Sequence, residues 1–232
     1  IAQALAAAQR AGGLGTGRAR SAGGGFSTFG RGRTASIRAT HRLGSRTRNV
    51  VIKARVVRHG GRASLAAHLN YLQRDGVTRD GERGVLFGAD AEGLDRNEFA
   101  ARCEDDRHHF RFIVSPEDAA QMRDLKGFTR ELMARMERDL GTRLDWRAVE
   151  HWNTDNPHVH IIVRGVTDDG RDLVIARDYI REGMRAAARE IVTQELGLRT
   201  DFEIRQSLER QVGAERWTVI LDKALEGARE AP

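Results

Sequence analysis

Sulphur chemistry is nearly absent from this chain. One cysteine, Cys103, stands among 232 residues, which excludes an intrachain disulfide and argues against a closed structural zinc site built on thiolates. No apolar run approaches the ~20 residues that a membrane-spanning helix needs, so membrane insertion is not expected. The alanine-rich opening lacks the basic start and long apolar centre of a signal peptide, and the expected location is cytoplasmic. The chain opens on Ile1 rather than methionine, as a piece of a longer protein would. Carboxylates are missing from one end: residues 1–74 hold 14 of the 39 Lys and Arg but none of the 33 Asp and Glu, which leaves the remainder net acidic. Tyrosine is scarce as well, with only Tyr71 and Tyr179.

The basic end is the end suited to a polyanion. Residues 1–48 are rich in Gly, Ala, Arg, Ser and Thr and lack periodicity, the composition of a disordered arm that binds phosphates without reading sequence. From Asn49 the pattern alternates. A strand is predicted at Val50–Val57, a helix at Ala63–Gln73, and turns at Arg79-Asp80-Gly81 and Glu82-Arg83-Gly84 ahead of Val85–Phe87. A short helix follows at Asp95–Arg102, then a strand at His108–Val114. Ser115-Pro116 reads as the start of a helix running to Leu140 and stopped by Gly141. A hairpin from Leu144 to Val163, a shorter one through Thr167–Gly170 to Ile175, and a helix from Asp178 to Leu196 complete the series. Residues 49–200 therefore make one α+β domain, a mostly antiparallel sheet with helices packed on one face. Residues 201–232 read as a helical extension with Trp217, Val219, Ile220 and Leu225 as its apolar stripe.

Three of the eight histidines fall within ten residues, in His151-Trp-Asn-Thr-Asp-Asn-Pro-His158-Val-His160. His158 and His160 are two apart in a β-branched run, so both imidazoles project from one face of a strand about 6 to 7 Å apart. The Asn153–Pro157 segment has the composition of a tight reversal, which brings His151 back beside them. Three nitrogens with open coordination positions suit a reactive metal rather than a structural one. Glu150 and Asp155 are candidates to orient the imidazoles, and each is equally well an ordinary strand or turn residue.

The His-x6-His-x-His pattern followed by an apolar strand resembles the third motif of the HUH-class relaxases, the conjugative and mobilisation nucleases that nick one DNA strand with a tyrosine, and most nearly the VirD2-like, P-type mobilisation relaxases. Ala66-Ala-His-Leu-Asn-Tyr71-Leu-Gln-Arg-Asp-Gly76 resembles the family's tyrosine motif, and Asp106–Asp118 its middle strand. The likeness spans roughly residues 50–200. Many relaxases carry aspartate two residues after the first histidine, where this chain has Asn153. The resemblance implies an HUH-endonuclease-like fold and a phosphotyrosine intermediate. Tyr71 is the expected nucleophile, because Tyr179 opens a helix and reads as a packing residue. A free phenol ionises near pH 10, and His68, one helical turn earlier, can help as base or can simply pack. His151, His158 and His160 would hold a divalent ion, with magnesium or manganese expected in use. Three imidazoles also accept zinc, cobalt or nickel, and magnesium less readily.

Arg55, Arg58, Arg74 and Arg111 are the expected phosphate contacts, and of His108 and His109 at most one faces the metal. The implied substrate is single-stranded transfer-origin DNA, nicked in plasmid mobilisation or conjugation. Implied partners are relaxosome accessory proteins and a type IV secretion coupling protein, with export covalently attached to the DNA. Two rival classes stand beside this reading. A cupin-like metal-dependent oxygenase also uses His-x-His on a strand but needs a barrel of many short strands, and a non-catalytic basic DNA-binding module leaves the histidines unexplained.

Overall fold

The computed structural model describes residue 31, residues 46–58 and residues 61–209. Its centre is a four-stranded antiparallel sheet ordered β1-β2-β4-β3, with β1 at Val50–Arg58, β2 at His108–Pro116, β3 at Trp146–His151 and β4 at His158–Arg164. The helices are α1 (Gly61–Leu72), α2 (Arg96–Arg102), α3 (Leu125–Leu140) and α4 (Arg185–Leu196), the last continuous with a π-helical turn at Tyr179–Met184. Residues 201–209 are helical. The α+β, antiparallel expectation holds, and an open sheet of this kind is not the barrel that a cupin requires. The stripe from Trp217 to Leu225 lies outside the described residues.

Alternation along the strands divides the core in two. Phe110, Phe112, Val114, Trp146, Ala148, Val159, Ile161 and Val163 pack against Phe128, Leu132, Met133 and Met136 of α3 and against Ala188, Ile191 and Val192 of α4. Val149 and Ile162, of opposite parity, pack instead against Leu65, Leu69 and Leu72 of α1 and Phe99 of α2. The α3 and α4 helices cover one face, as expected, and α1 and α2 in addition cover part of the other. The cause is legible in α1, whose leucines at i, i+4 and i+7 form a stripe that must be buried. It lies over β3 and β4 and leaves the β1 side of that face open, with Val51, Lys53 and Arg55 exposed.

The long helix begins later than Ser115-Pro116 suggested. β2 continues through Pro116, which pairs with Val50, and a 3-10 turn at Ala119–Gln121 follows. The amphipathic period starts only at Leu125, where Asp124 caps the helix by accepting from the Gly127 amide at 2.8 Å. Its end is as expected: Gly141 adopts φ +65°, the left-handed conformation that closes a helix.

The boundary of the basic arm also moves. Most of residues 1–48 lie outside the described residues, but Arg48 is only 4% exposed. Its guanidinium donates to the carbonyls of Gly197 (3.0 Å) and Leu196 (3.3 Å) and to Asp118 and Glu203. The last carbonyls of a helix have no partners within it, so Arg48 completes the end of α4 and belongs to the folded domain. Arg31 does the same for α3, donating to the carbonyls of Leu140 and Gly141 at 2.9 and 3.0 Å.

Just past β4 the backbone of Gly165 lies so close to β2 that a Cβ there would collide with the carbonyl oxygen of His108. Strand backbone cannot yield as a flexible side chain can. Gly165→Ala is expected to cost about 3 kcal/mol, lowering the melting temperature by roughly 6 to 12 °C. A variant that melts with the wild type would refute this close approach.

Candidate metal centre and nucleophile

The histidine hairpin forms as its sequence implied. His151 ends β3, His158 begins β4, and the two are register partners. One ligand nitrogen from each of His151, His158 and His160 can be chosen so that all lie within 4.8 Å of one another. The Nε2 atoms of His158 and His160 are 3.2 Å apart. Two nitrogens bound at ~2.1 Å to one ion sit roughly 3.0 to 3.5 Å apart, so this pair already has the spacing of ligands.

Hydrogen bonds at the far ring atoms select which nitrogens remain. His151 Nε2–H donates to the Leu72 carbonyl at 2.8 Å, and His158 Nδ1–H donates to the Asn156 carbonyl at 2.9 Å. A carbonyl only accepts, so each imidazole is fixed as the tautomer that leaves its other nitrogen bare, the arrangement found around metal-binding histidines. Burial, reinforced by His151 and His158, lowers His160 to about 3, and burial also lowers His151. Rings held neutral at physiological pH are ready to ligate. The donor set therefore fits a divalent ion held by His151 Nδ1, His158 Nε2 and His160 Nε2. With no carboxylate in the group, it suits manganese, zinc, cobalt or nickel better than magnesium.

Among the described residues, neither carboxylate expected to orient these rings makes a hydrogen bond to them. Glu150 alternates to the opposite face of β3, where burial pushes its carboxyl up and its charged neighbours are Lys126, Asp124 and Glu92. Asp155 is exposed in the turn. Main-chain carbonyls take the orienting role, and no sequence pattern announces them.

The two tyrosines differ sharply. Tyr179 is fully buried, its hydroxyl donates to Asp139 at 3.0 Å, and burial together with Asp139 drives its ionisation far above the usual phenol range. Tyr71 is 61% exposed and sits at the end of α1, next to the Leu72 carbonyl that holds His151. The Arg74 guanidinium lies over its ring, 5.0 Å from the centroid. Arg74 also acts electrostatically on His151 and His160, so this cation is near both the phenol and the histidines. His68 makes no hydrogen bond to Tyr71 among the described residues. It turns toward the sheet instead, and burial and Arg111 lower it to about 4, so it is neutral and a weak base.

Two grooves flank the His158–His160 pair and share Lys53 and Ile113. One, of about 220 Å³, is lined by Lys53, Arg55, His68, Leu72, Arg111 and His160. The other, of about 540 Å³, is lined by Val51, Lys53, Ser115, Glu117, Thr154, Asn156 and His158. Arg55 and Arg111 face the first groove as register partners, and Arg111 Nε donates to His109 Nε2 at 2.9 Å. His109 is buried and lowered to about 4, by burial first and then by Arg111. It shares the face of the metal histidines without joining their cluster, whereas His108 donates across the other face to the Leu173 carbonyl at 2.9 Å. Arg58 has the parity of Val50 and Ile52 and falls on the face opposite the histidines, so the structure does not bring it to the site. Lys53 went unremarked in the sequence, although its parity with Arg55 placed it on the same face.

An antiparallel α+β sheet thus presents three convergent imidazoles that could hold a metal ion beside a basic groove suited to anions. Residues 88–198 match the family model described as Relaxase: MobA/VirD2-like, nuclease domain. This stretch of the chain, which contains α2, β2, α3 and the whole histidine hairpin, is similar to relaxase-class nuclease domains, and its antiparallel α+β architecture is consistent with an HUH-like fold. Tyr71 and α1 precede the matched residues. No curated protein matches the chain.

Proposed function

We propose that this protein nicks one strand of transfer-origin DNA at a defined site, in single-stranded form, by metal-assisted tyrosine transesterification, in plasmid mobilisation or conjugation. The observation that carries the reading is the 2.8 Å hydrogen bond from His151 to the Leu72 carbonyl, which joins the helix bearing Tyr71 to the three-histidine centre. His151, His158 and His160 would hold a divalent ion, which would supply charge neutralisation at the scissile phosphate.

Tyr71 Oη forms a bond to phosphorus as the bond from phosphorus to the 3′ oxygen breaks. The phenol gives up its proton, the 3′ oxygen takes one up, and the 5′-phosphate stays on the tyrosine. One phosphodiester replaces another, so the step is nearly balanced in energy and runs backward to reseal the strand. Arg74, over the Tyr71 ring, and Lys53, Arg55 and Arg111 hold phosphates of the strand. The basic N-terminal arm adds contacts that weaken steeply with salt. Relaxosome accessory proteins and a type IV secretion coupling protein are the partners this role calls for. Its setting is the cytoplasm, with export attached to the transferred strand.

The test is incubation with 3′-labelled single-stranded oligonucleotides carrying candidate transfer origins, with manganese. A labelled adduct that survives denaturing electrophoresis and requires the metal is expected. A mobility shift without any adduct would leave a binding module in its place.

A further inference from the structure

Carboxylates hold several of the arginines set into this domain: Asp145 holds Arg102, Asp106 holds Arg164, and Asp118 and Glu203 hold Arg48. Arg111 is held differently. Its Nε–H donates to a ring nitrogen, Nε2 of His109, at 2.9 Å, and among the described residues no carboxylate pairs with it. The charge that acts on it is that of Arg55, its register partner on β1. Like charges directly opposite across two strands destabilise a sheet, so the pair is costly until an anion joins it.

The kind of partner decides what the arginine can do. A carboxylate would fix the guanidinium but would also cancel the charge that attracts a phosphate, whereas a neutral acceptor fixes it and leaves that charge intact. His109 is such an acceptor. It is only 7% exposed, and burial, followed by Arg111, lowers it to about 4, so the ring is uncharged at physiological pH. Because Arg111 donates to Nε2, the ring proton sits on Nδ1. A guanidinium can grip two phosphate oxygens side-on, through Nε and one Nη, or end-on, through both Nη atoms. With Nε occupied by His109, the end-on fork is the one left.

We propose that His109 is a positioning residue: by accepting the Nε–H of Arg111 it fixes the guanidinium end-on toward a phosphate of the bound strand, which Arg55 meets from the neighbouring strand. Arg55 and Arg111 both line the groove of about 220 Å³ that His160 also lines, so the phosphate they seat lies beside the metal centre. An arginine stem has many rotamers, and fixing it before the strand arrives removes an ordering cost from binding. This inference rests on the proposed function for the identity of the anion.

The experiment measures the affinity of the full chain for a fluorescent single-stranded oligonucleotide, without divalent ions and across a range of salt, so that binding is read apart from cleavage. Arg111→Met is expected to weaken binding about tenfold and to reduce the salt slope by about 0.7. His109→Leu, which fills the buried volume but cannot accept a hydrogen bond, should weaken binding about threefold or more. In the Arg111→Met background the same His109→Leu change should alter affinity by less than about 1.5-fold, because its effect passes through Arg111. His109→Gln, whose amide oxygen can accept in place of Nε2, should stay within about twofold of the wild type. Nitrogen-15 NMR of arginine side chains gives a readout without DNA: the Arg111 Nε–H signal should be protected from exchange in the wild type and in His109→Gln, and lose that protection in His109→Leu. Equal losses from His109→Leu with and without Arg111, or unchanged binding in folded His109→Leu, overturn the positioning role and leave the nicking reading intact. Unchanged binding in Arg111→Met overturns the phosphate seat itself, while adduct formation with manganese still decides the nicking reading separately.

Discussion

Tyr71→Phe is expected to lower covalent adduct formation by roughly three orders of magnitude or more, as removal of a nucleophile does in other covalent mechanisms, while DNA affinity changes little. Only the hydroxyl is lost. The ring remains under Arg74, 5.0 Å from its centroid, and a phenyl ring accepts a cation as a phenol does. Tyr71 is exposed, so no buried hydrogen bond is broken and the melting temperature should hold. Tyr179→Phe should behave in the opposite way. Its hydroxyl is buried against Asp139, and removing it leaves a carboxylate without its donor, a loss of about 1 to 2 kcal/mol, with adduct formation retained. An adduct that survives in Tyr71→Phe and disappears in Tyr179→Phe, with both proteins folded, would assign the nucleophile to the wrong tyrosine. Adduct mass spectrometry after nuclease trimming distinguishes the two directly.

What the sequence made legible follows from periodicity and scarcity. Two histidines at strand spacing, a third seven positions before the first of them and a turn between define a hairpin with one geometry, and the structure reproduces it. With only two tyrosines, helix position was enough to separate an exposed phenol from a packed one. Orientation was harder to read. Glu150 is adjacent to His151 in sequence, but a strand sends neighbours to opposite faces, so proximity along the chain misled. The groups that do orient the rings are the carbonyls of Leu72 and Asn156, and main-chain atoms carry no residue-type signal. The Ser115-Pro116 start failed for a related reason: those residues satisfy a local helix rule, but pairing with β1 extends the strand past them. Arg48 was read as part of a solvated arm because its partners, the carbonyls of Leu196 and Gly197, lie about 150 residues away in sequence. Long-range capping is invisible to a windowed reading.

Replacing a metal ligand should have the second large effect. His158→Ala and His160→Ala are each expected to reduce divalent-ion affinity, measured calorimetrically with manganese and with zinc, by at least about 100-fold, beyond the 10- to 100-fold typical of losing an orienting partner. Cleavage should fall with it. His151→Ala should do the same and also release the carbonyl of Leu72, loosening the turn that carries Tyr71. Glu150→Gln and Asp155→Asn should leave affinity within about threefold, since Glu150 lies on the other face of β3 and Asp155 makes no hydrogen bond to the imidazoles among the described residues. The titration of the rings gives an independent check in the metal-free protein. His160 is lowered to about 3, and His68 and His109 to about 4, against about 6.5 in an unfolded chain. Below pH 6.5 the unfolded chain therefore binds protons that the folded one refuses, so the stability these rings contribute is present above pH 6.5 and is lost as pH falls toward 4. The melting temperature should decline across that window, and less steeply in His160→Ala, which has one such ring fewer. Added zinc should raise the melting temperature of the wild type near pH 7 by mass action, and that gain should shrink as protons compete for the nitrogens. If all three histidine variants bind manganese and zinc as the wild type does, the three imidazoles are not the metal centre.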